Sequence, residues 1–497
     1  MNPSDVLRHP HSLFIAGEWV APSVADPITV TDPATEQPFM TVAAATEPDI
    51  SRAASAAREA FDNGPWPRLT PTERAQWLDR LADGIDARKD EFALLWPHEM
   101  GIIHKLARMI SGGISHSYRS YARIAEQFAF EEEHPTVTAA KLGILVHEPV
   151  GVVGAIVPWN APAMLTATKV APALAAGCTV VLKASPEAPG QALLLAQIAE
   201  EIGLPPGVLN VLTADRGPSE ALVSDDRIDK ISFTGSTAAG RRIASIVGGR
   251  MGRFTMELGG KSAAIILDDY DVEEAAKAIA RRAIDMTGQV CAALTRVIVP
   301  QARHDAFVDA LSAAFAKVVV GNPFDPDTRM GPLATARQRD MVEGHIAEAL
   351  DAGALLATGG RRPPHLDRGY YLEPTVFGNV DPGSRMAREE VFGPVLSVIP
   401  ARDEAHAVDL ANDTIFGLNN AVFTNDVDRA YQLARQLRSG TVGHNGMKVD
   451  YTIAFGGFKQ SGVGREGGLE GLKPYLESKT VILQDRPSPS CFAGGRL

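Results

Sequence analysis

The sequence predicts an α/β protein built on parallel sheets. Near-continuous apolar runs of strand length alternate with stretches rich in Ala, Leu and Glu that carry helical periodicity. Strands apolar on both faces and joined by helices imply a parallel sheet covered on both sides. The 497-residue length leaves room for two to four domains at ~100–200 residues each.

Composition sets the outer bounds. With 45% apolar and 22% charged residues the chain reads as an ordinary soluble globular protein with material for a large core. A formal net charge of −12 disfavours nucleic acid or an anionic membrane as main partner, since both need a basic face. Lys169 interrupts the longest apolar candidate, Ala161 to Leu182, below the ~18 residues a membrane helix needs. Met1-Asn2-Pro3-Ser4-Asp5 has no basic region followed by an apolar run, so no secretory signal is expected. The three cysteines, Cys178, Cys291 and Cys491, are too few for a disulfide framework and suit a reducing cytoplasm.

Along the chain, a short β-rich start gives way to helices. Thr70-Pro71-Thr72-Glu73 is a capping box with proline at the first helical position. Trp77, Leu78, Leu81, Ile85 and Phe92 then follow at helical spacing as one buried stripe. A more polar, hairpin-like segment spans roughly Gln127 to Pro149. Strands are expected at Gly151 to Pro158, Cys178 to Lys183, Val208 to Leu212 and Lys230 to Thr234, with a helix at Gln191 to Ile202. Ligands of such sheets lie at the strands' carboxyl ends. Those ends are Pro158-Trp159-Asn160, Lys183-Ala184-Ser185 and Phe233-Thr234-Gly235-Ser236. A second α/β series runs from near Met256 to about Gly457, with strands at Ala263 to Leu267 and Arg296 to Pro300 and a helix at Ala306 to Val319. A late strand, Leu476 to Leu483, needs a partner because exposed edges are a liability. The Pro, Ser and Gly-rich tail Arg486 to Leu497 is expected to be loose.

Three tempting signals fail. Gly260-Lys261-Ser262 lacks the P-loop glycine five residues earlier, where Thr255 stands. His98-Glu99-Met100-Gly101-Ile102 puts Ile102 where a zinc-protease motif needs its second His. No Gly-x-Ser-x-Gly elbow occurs, which disfavours that type of serine hydrolase.

Cys291, in Gly288-Gln289-Val290-Cys291, and Glu257, in Met256-Glu257-Leu258-Gly259-Gly260-Lys261, stand apart in context. A single Cys is usually an inert buried hydrophobe, and a single Glu a solvated surface charge. Glu257, however, lies between apolar residues and a Gly-Gly step where backbone can approach a ligand closely. A carboxylate held there loses solvent, its pKa rises, and it suits a general base.

Six segments in order then identify a resemblance. Pro158-Trp159-Asn160, Phe233-Thr234-Gly235-Ser236-Thr237, Glu257-Leu258-Gly259-Gly260-Lys261, Gly288-Gln289-Val290-Cys291, Glu390-Val391-Phe392-Gly393-Pro394 and Phe455-Gly456-Gly457-Phe458-Lys459 resemble the aldehyde dehydrogenase superfamily over essentially the whole chain. The resemblance implies NAD(P)-dependent oxidation of an aldehyde to a carboxylic acid. It implies a Rossmann-like cofactor domain from residues 1–126 and 150–256, a catalytic α/β domain from 257–457, and a small β oligomerisation arm and tail from 127–149 and 458–497. A homo-oligomer, dimer or tetramer, follows from the arm, whose strands would pair with a neighbouring subunit's sheet edge.

The same resemblance implies the roles. Cys291 is the nucleophile, Asn160 and the Cys291 backbone N–H are donors to the oxyanion, and Glu257 activates water to hydrolyse the thioester. Ser236, in a helix-opening turn, would bind pyrophosphate. Lys183 would contact the adenosine ribose, and Glu390 and Phe392 would hold the nicotinamide ribose and ring. Pro158, Trp159, Ser185, Gly235 and Leu258 complete the expected cofactor contacts, and no metal is expected.

One departure touches cofactor choice. Many NAD-preferring relatives carry Glu three residues after the strand-end lysine, where its charge repels a 2′-phosphate; here Pro186 stands there and Glu187 follows. NAD is the expected cofactor, with NADP as the alternative. A second departure touches substrate. Ala161 follows Asn160 where many relatives place Phe, which suggests a wider tunnel for bulky or extended aldehydes, narrowed elsewhere by Trp159, Met164, Phe455 or Phe458. The acylating branch of the superfamily, in which coenzyme A takes the thioester, generally lacks the base, so Glu257 favours water as acceptor. A binding protein that had kept only the fold would be expected to lose Cys291 or Glu257.

Overall fold

The apolar runs between Val152 and Glu257 fold into neighbouring parallel strands in a computed structural model that describes residues 6–138 and 140–488. The sheet they form has eight strands. Their order is Gly462–Val463, Arg253–Glu257, Lys230–Thr234, Val152–Ile156, Thr179–Ala184, Leu209–Thr213, Leu13–Ile15 and Glu18–Val20. The middle five are parallel and the outer three antiparallel. From Val152–Ile156 the chain steps outward twice in one direction, then returns to lay Lys230–Thr234 on the other side. The switch point between those two strands is where a crevice opens outside the carboxyl ends of such a sheet.

Both faces are covered, as expected. One carries helices Pro162–Ala176 and Gly190–Glu201; the other carries Glu47–Asp62 and Thr237–Gly249. The Ala-rich helix Pro162–Ala176 is buried almost all round, which is why its sequence lacks an apolar stripe. It opens on proline and stops at Gly177, whose φ of +96° closes the helix.

A second sheet has seven strands, in the order Leu355–Thr358, Thr375–Gly378, Val395–Ala401, Arg296–Pro300, Ala263–Ile266, Asn419–Phe423 and Thr441–His444. All pairings but the first are parallel. Arg253–Glu257 belongs to the first sheet, so Glu257 closes that sheet rather than opening the second series. Gly462–Val463 also returns to the first sheet, beside Met256 and Glu257, so this stretch is not part of the arm.

The hairpin forms from Glu131–His134 and Leu142–Pro149, and the late strand Leu476–Leu483 pairs with the latter along its whole length. The late strand's partner is therefore this chain's own hairpin, and among the described residues Leu476–Leu483 and Glu131–His134 are the two edges of this three-stranded sheet.

The capping box forms as read: the Thr70 hydroxyl accepts from the Glu73 N–H, and the Glu73 carboxylate accepts from the Thr70 N–H at 2.7 Å. The stripe does not run on. Leu78, Leu81 and Ile85 are buried, but the helix ends at Ala87, Phe92 sits in the next helix, Lys89–Met100, and Trp77 is half-buried. The break falls at Arg88, whose guanidinium is held by Glu91 and Gln197. Among the described residues no helix is long and apolar enough to cross a membrane, and no group of three His, Cys, Asp or Glu could hold a metal ion. Cys491 and residues 1–5 lie outside the described residues, as does most of the tail.

Candidate active site

Register places the strand-end residues side by side. Lys183 lies opposite Ile156, and Glu257 opposite Thr234, so the segments that follow each strand emerge along one edge of the sheet. Pro158 and Trp159 leave one side of the switch point, and Gly235 and Ser236 leave the other. Ser236 caps helix Thr237–Gly249, its hydroxyl accepting from the Ala239 N–H. The helix N-terminus therefore faces the crevice, where N–H groups favour an anion. Leu258 packs under Gly240, and its N–H bonds the Ser461 carbonyl, fixing the segment after Glu257.

Cys291 follows a loop that needs support. Helix Val272–Ala283 ends, and Met286 and Thr287 adopt left-handed φ of 52° and 56°. Such geometry costs of order ~1–3 kcal/mol per residue and persists only when neighbours over-determine it. Here the Thr287 hydroxyl bonds the Gly331 carbonyl, and the Gln289 side chain donates to the Met286 carbonyl while accepting from the Ala334 N–H. Next along the loop, the Asn160 side-chain amide donates to the Gln289 carbonyl at 2.9 Å. The Asn160 carbonyl in turn accepts from the Trp96 indole. Asn160 is thereby fixed two residues from the thiol, with one amide N–H engaged and a second left over.

The Glu257 and Cys291 segments touch. A Cβ on Gly260 would lie 2.4 Å from the Cys291 carbonyl oxygen, so only glycine allows this approach. Cys291 is half-buried, and its thiol is pushed up to about 12 by burial, with the Glu390 and Glu257 carboxylates adding to the rise. Glu257 is buried, and neither of its oxygens accepts a hydrogen bond from the described residues. Burial holds its pKa well above the usual carboxylate range; Glu466 raises it further, while Lys169 and Arg465 pull it back. Lys169 and Glu466 form a fully buried ion pair. Sequence reading missed this pair as part of the site. Lys169 was visible only as a charge interrupting an apolar run.

Glu390 faces the same place from the second sheet's side. Its carboxylate accepts from the Gly260 N–H at 3.2 Å, and burial pushes it up to about 7 against the pull of that N–H and Lys261. A Cβ on Gly259 would fall 2.0 Å from a Glu390 oxygen. Phe392, at φ +54°, meets the Trp159 ring edge-on with centroids 5.5 Å apart. At the far end, Lys183 is buried with its ammonium 3.4 Å from the Ala214 carbonyl, and burial pulls it down to about 8. The Ser185 hydroxyl bonds Glu187. From Lys183 past Ser236 to Glu390, the crevice offers a cation, a helix N-terminus capped by the Ser236 hydroxyl, and a carboxylate. Those donors and acceptors fit an elongated, phosphate-bearing dinucleotide.

A cavity of about 230 Å³ is lined by Ile110, Ile114, His116, Ser117, Met164 and Tyr451 among others; Cys291 is not in its lining, and Tyr451 connects it to the cluster around the thiol. Tyr451 packs on Phe455, and both cluster with Cys291 and Val290. Ala161 and Met164 share a second cluster with Val290. Of the four residues expected to narrow the tunnel, Met164 lines this cavity and Phe455 packs beside the thiol. Trp159 turns its ring to Phe392, and Phe458 is 37% exposed between Arg438 and Arg465.

Comparison with known proteins gives the family and the fold. The model of the aldehyde dehydrogenase family matches residues 19–481. The chain is 41% identical to geranial dehydrogenase of Castellaniella defragrans over 478 residues, 96% of this chain and 99% of that one. The fold is similar to a Mycobacterium tuberculosis aldehyde dehydrogenase complexed with NAD+, at 41% identity and a TM-score of 0.93, covering 95% of this chain and 98% of that one. It is also similar to a mutant of aldehyde dehydrogenase C from Pseudomonas syringae in complex with NAD+ and octanal. That match has 37% identity, a TM-score of 0.92, and covers 97% and 98% of the two chains.

Proposed function

The chain belongs to the aldehyde dehydrogenase family, and from that premise we propose that it oxidises an extended, apolar aldehyde to its carboxylic acid with NAD, through a covalent intermediate on Cys291. The reading rests chiefly on one juxtaposition. A buried carboxylate that the protein leaves without a hydrogen bond, Glu257, lies against the segment of a half-buried thiol, Cys291.

The steps follow from the residues. The aldehyde enters with its tail in the cavity beside Met164 and Tyr451 and its carbonyl at Cys291. The thiol proton leaves as the sulfur attacks the carbonyl carbon, and Glu257, with its raised pKa, is suited to take it. The oxyanion of the thiohemiacetal is stabilised by the free N–H of the Asn160 amide and the Cys291 backbone N–H. Bound NAD+ would supply the hydride acceptor at its nicotinamide. Glu390 and Phe392, with Trp159, would orient the ring, and Ser236, Gly235, Leu258, Pro158, Ser185 and Lys183 would hold the rest of the dinucleotide. Glu257 first gives the thiol's proton up to solvent, then removes a proton from water as the water attacks the thioester; the acid departs, and that second proton passes to the sulfur, restoring the thiol. Splitting oxidation from hydrolysis gives two lower barriers in place of one.

The domain division follows the two sheets, with the first binding cofactor and the second supplying Cys291. The three-stranded sheet acts as an oligomerisation arm; the outer edge of Leu476–Leu483, unpaired among the described residues, supports that role. For the substrate, geranial dehydrogenase and the octanal complex are relatives whose ligands are extended and apolar. The test is a chain-length series of aldehydes followed by NADH absorbance. kcat/KM is expected to rise from acetaldehyde toward octanal by at least ~10-fold, the weight of one or two buried methylenes. An optimum at acetaldehyde would remove the extended-substrate reading.

A further inference from the structure

Resting on the extended-substrate reading above, we propose that the aldehyde this site prefers carries a neutral hydroxyl at its far end, recognised by Ser117 and Ser120. The cavity linked to the thiol through Tyr451 has unlike walls. Ile110, Met164 and Tyr451 offer apolar surface, and Met164 shares a cluster with Val290, next to Cys291. Helix Ile114–Gln127 supplies another wall, with Ser117 and Ser120 about one turn apart on the face it turns to the cavity.

The two hydroxyls are free. A serine inside a helix points to water or bonds the carbonyl four residues back. Ser115, on the same helix, is engaged by Asp86, and Thr168 on the neighbouring helix Pro162–Ala176 bonds the Leu165 carbonyl at 3.0 Å. Among the described residues Ser117 and Ser120 have no such partner, and both are half-buried in the cavity wall. His116, which also lines the cavity, is exposed and marks its open side. A chain reaching out from Cys291 past Met164 therefore passes apolar surface first and meets unpaired hydroxyls beyond it.

Charge narrows the end group. No Asp, Glu, Lys or Arg lines the cavity among the described residues. Lys169, one residue past Thr168, is closed off in its ion pair with Glu466. A carboxylate or ammonium entering here would shed water without meeting an opposite charge, which is costly. A plain alkyl end would cover the two serines and leave them with neither water nor a partner. A hydroxyl donates once and accepts up to twice, so it can pair with both serines at once. The cavity thus fits an aldehyde with an apolar body and a neutral hydroxyl at the other end.

Steady-state oxidation by the full chain with NAD+, followed by NADH absorbance, tests this with matched pairs: 6-hydroxyhexanal against heptanal, 8-hydroxyoctanal against nonanal, and 10-hydroxydecanal against undecanal. Within a pair, a terminal hydroxyl replaces a methyl and nothing else changes. In the best pair the wild type is expected to give the hydroxyaldehyde a kcat/KM at least equal to that of its alkyl partner, because a hydroxyl buried without partners would lose ~10-fold or more. Ser117→Ala combined with Ser120→Ala is expected to cut that ratio by at least ~5-fold, chiefly by loss on the hydroxyaldehyde. Melting curves confirm that a folded variant is being assayed, and the wild-type ratio tests the proposal without any variant. The proposal is overturned if the wild type favours the alkyl aldehyde in every pair, or if the folded double variant changes the ratio by less than ~5-fold. Wild type that oxidises acetaldehyde but none of these longer chains would instead overturn the extended-substrate reading, and this inference with it.

Discussion

At the residue scale, the site is a set of groups whose surroundings oppose their charged forms. Burial and two carboxylates hold the Cys291 thiol protonated, and burial with Glu466 holds Glu257 above the ordinary carboxylate range. A thiol and a base pushed up together can exchange a proton without either becoming a stable isolated ion. Asn160 anchors the Gln289 carbonyl through one amide N–H, and the proposed mechanism gives its second N–H to the reacting carbonyl. Asn160→Ala is expected to lower kcat by ~10²–10³ with a much smaller change in KM. Steady-state kinetics that show less than a ~10-fold loss would deny it the oxyanion role. Cys291, Glu257 and Asn160 stood out in the sequence because short motifs of small and polar residues surround them, and the structure brings their segments together. The Lys169–Glu466 pair was not, because its members lie 297 residues apart and nothing local links them.

At the element scale, local signals were read well and long-range ones poorly. The capping box at Thr70 is a contact between residues three apart, and it forms as written. The break at Arg88 has no Gly or Pro to mark it; side chains from the distant Gln197 and the nearby Glu91 stabilise it. Helix Lys89–Met100 also ties down helix Gly190–Glu201, for a Glu99 oxygen accepts the Gly190 N–H at 2.6 Å. Burial pushes Glu99 up to about 8. A folded-state pKa above the unfolded value means stability that is fully present below the unfolded carboxyl range and lost as pH rises through the folded pKa. Glu99→Gln keeps the carbonyl acceptor and removes the titration. Its melting temperature is expected to exceed the wild type's by about 1–3 °C at pH 9, with the gap shrinking at pH 5. An equal gap at both pH values would mean that Glu99 is not charged at the cost of stability.

At the scale of the whole molecule, two sheets bring residues from across the chain to one crevice. Asn160 and Glu257 come from the first sheet's strand ends, while Cys291 and Glu390 reach the crevice from the series that builds the second. Alternating apolar runs made both sheets legible. The two-residue strand Gly462–Val463 was too short to carry a pattern, yet it sets the loop that packs against Glu257. The late strand was legible as a strand, but its pairing with residues 142–149 was not, since sequence alone does not choose between a strand of the same chain and one of another.

The central claim is that Cys291 carries the acyl group and Glu257 completes its hydrolysis. Rapid mixing of Glu257→Gln with NAD+ and octanal, with NADH followed by absorbance and the protein by intact mass, tests it most directly. The expected result is close to one NADH per chain, then turnover slowed by at least ~10²-fold, with an octanoyl mass on Cys291. Turnover near the wild-type rate with no acyl adduct would contradict it.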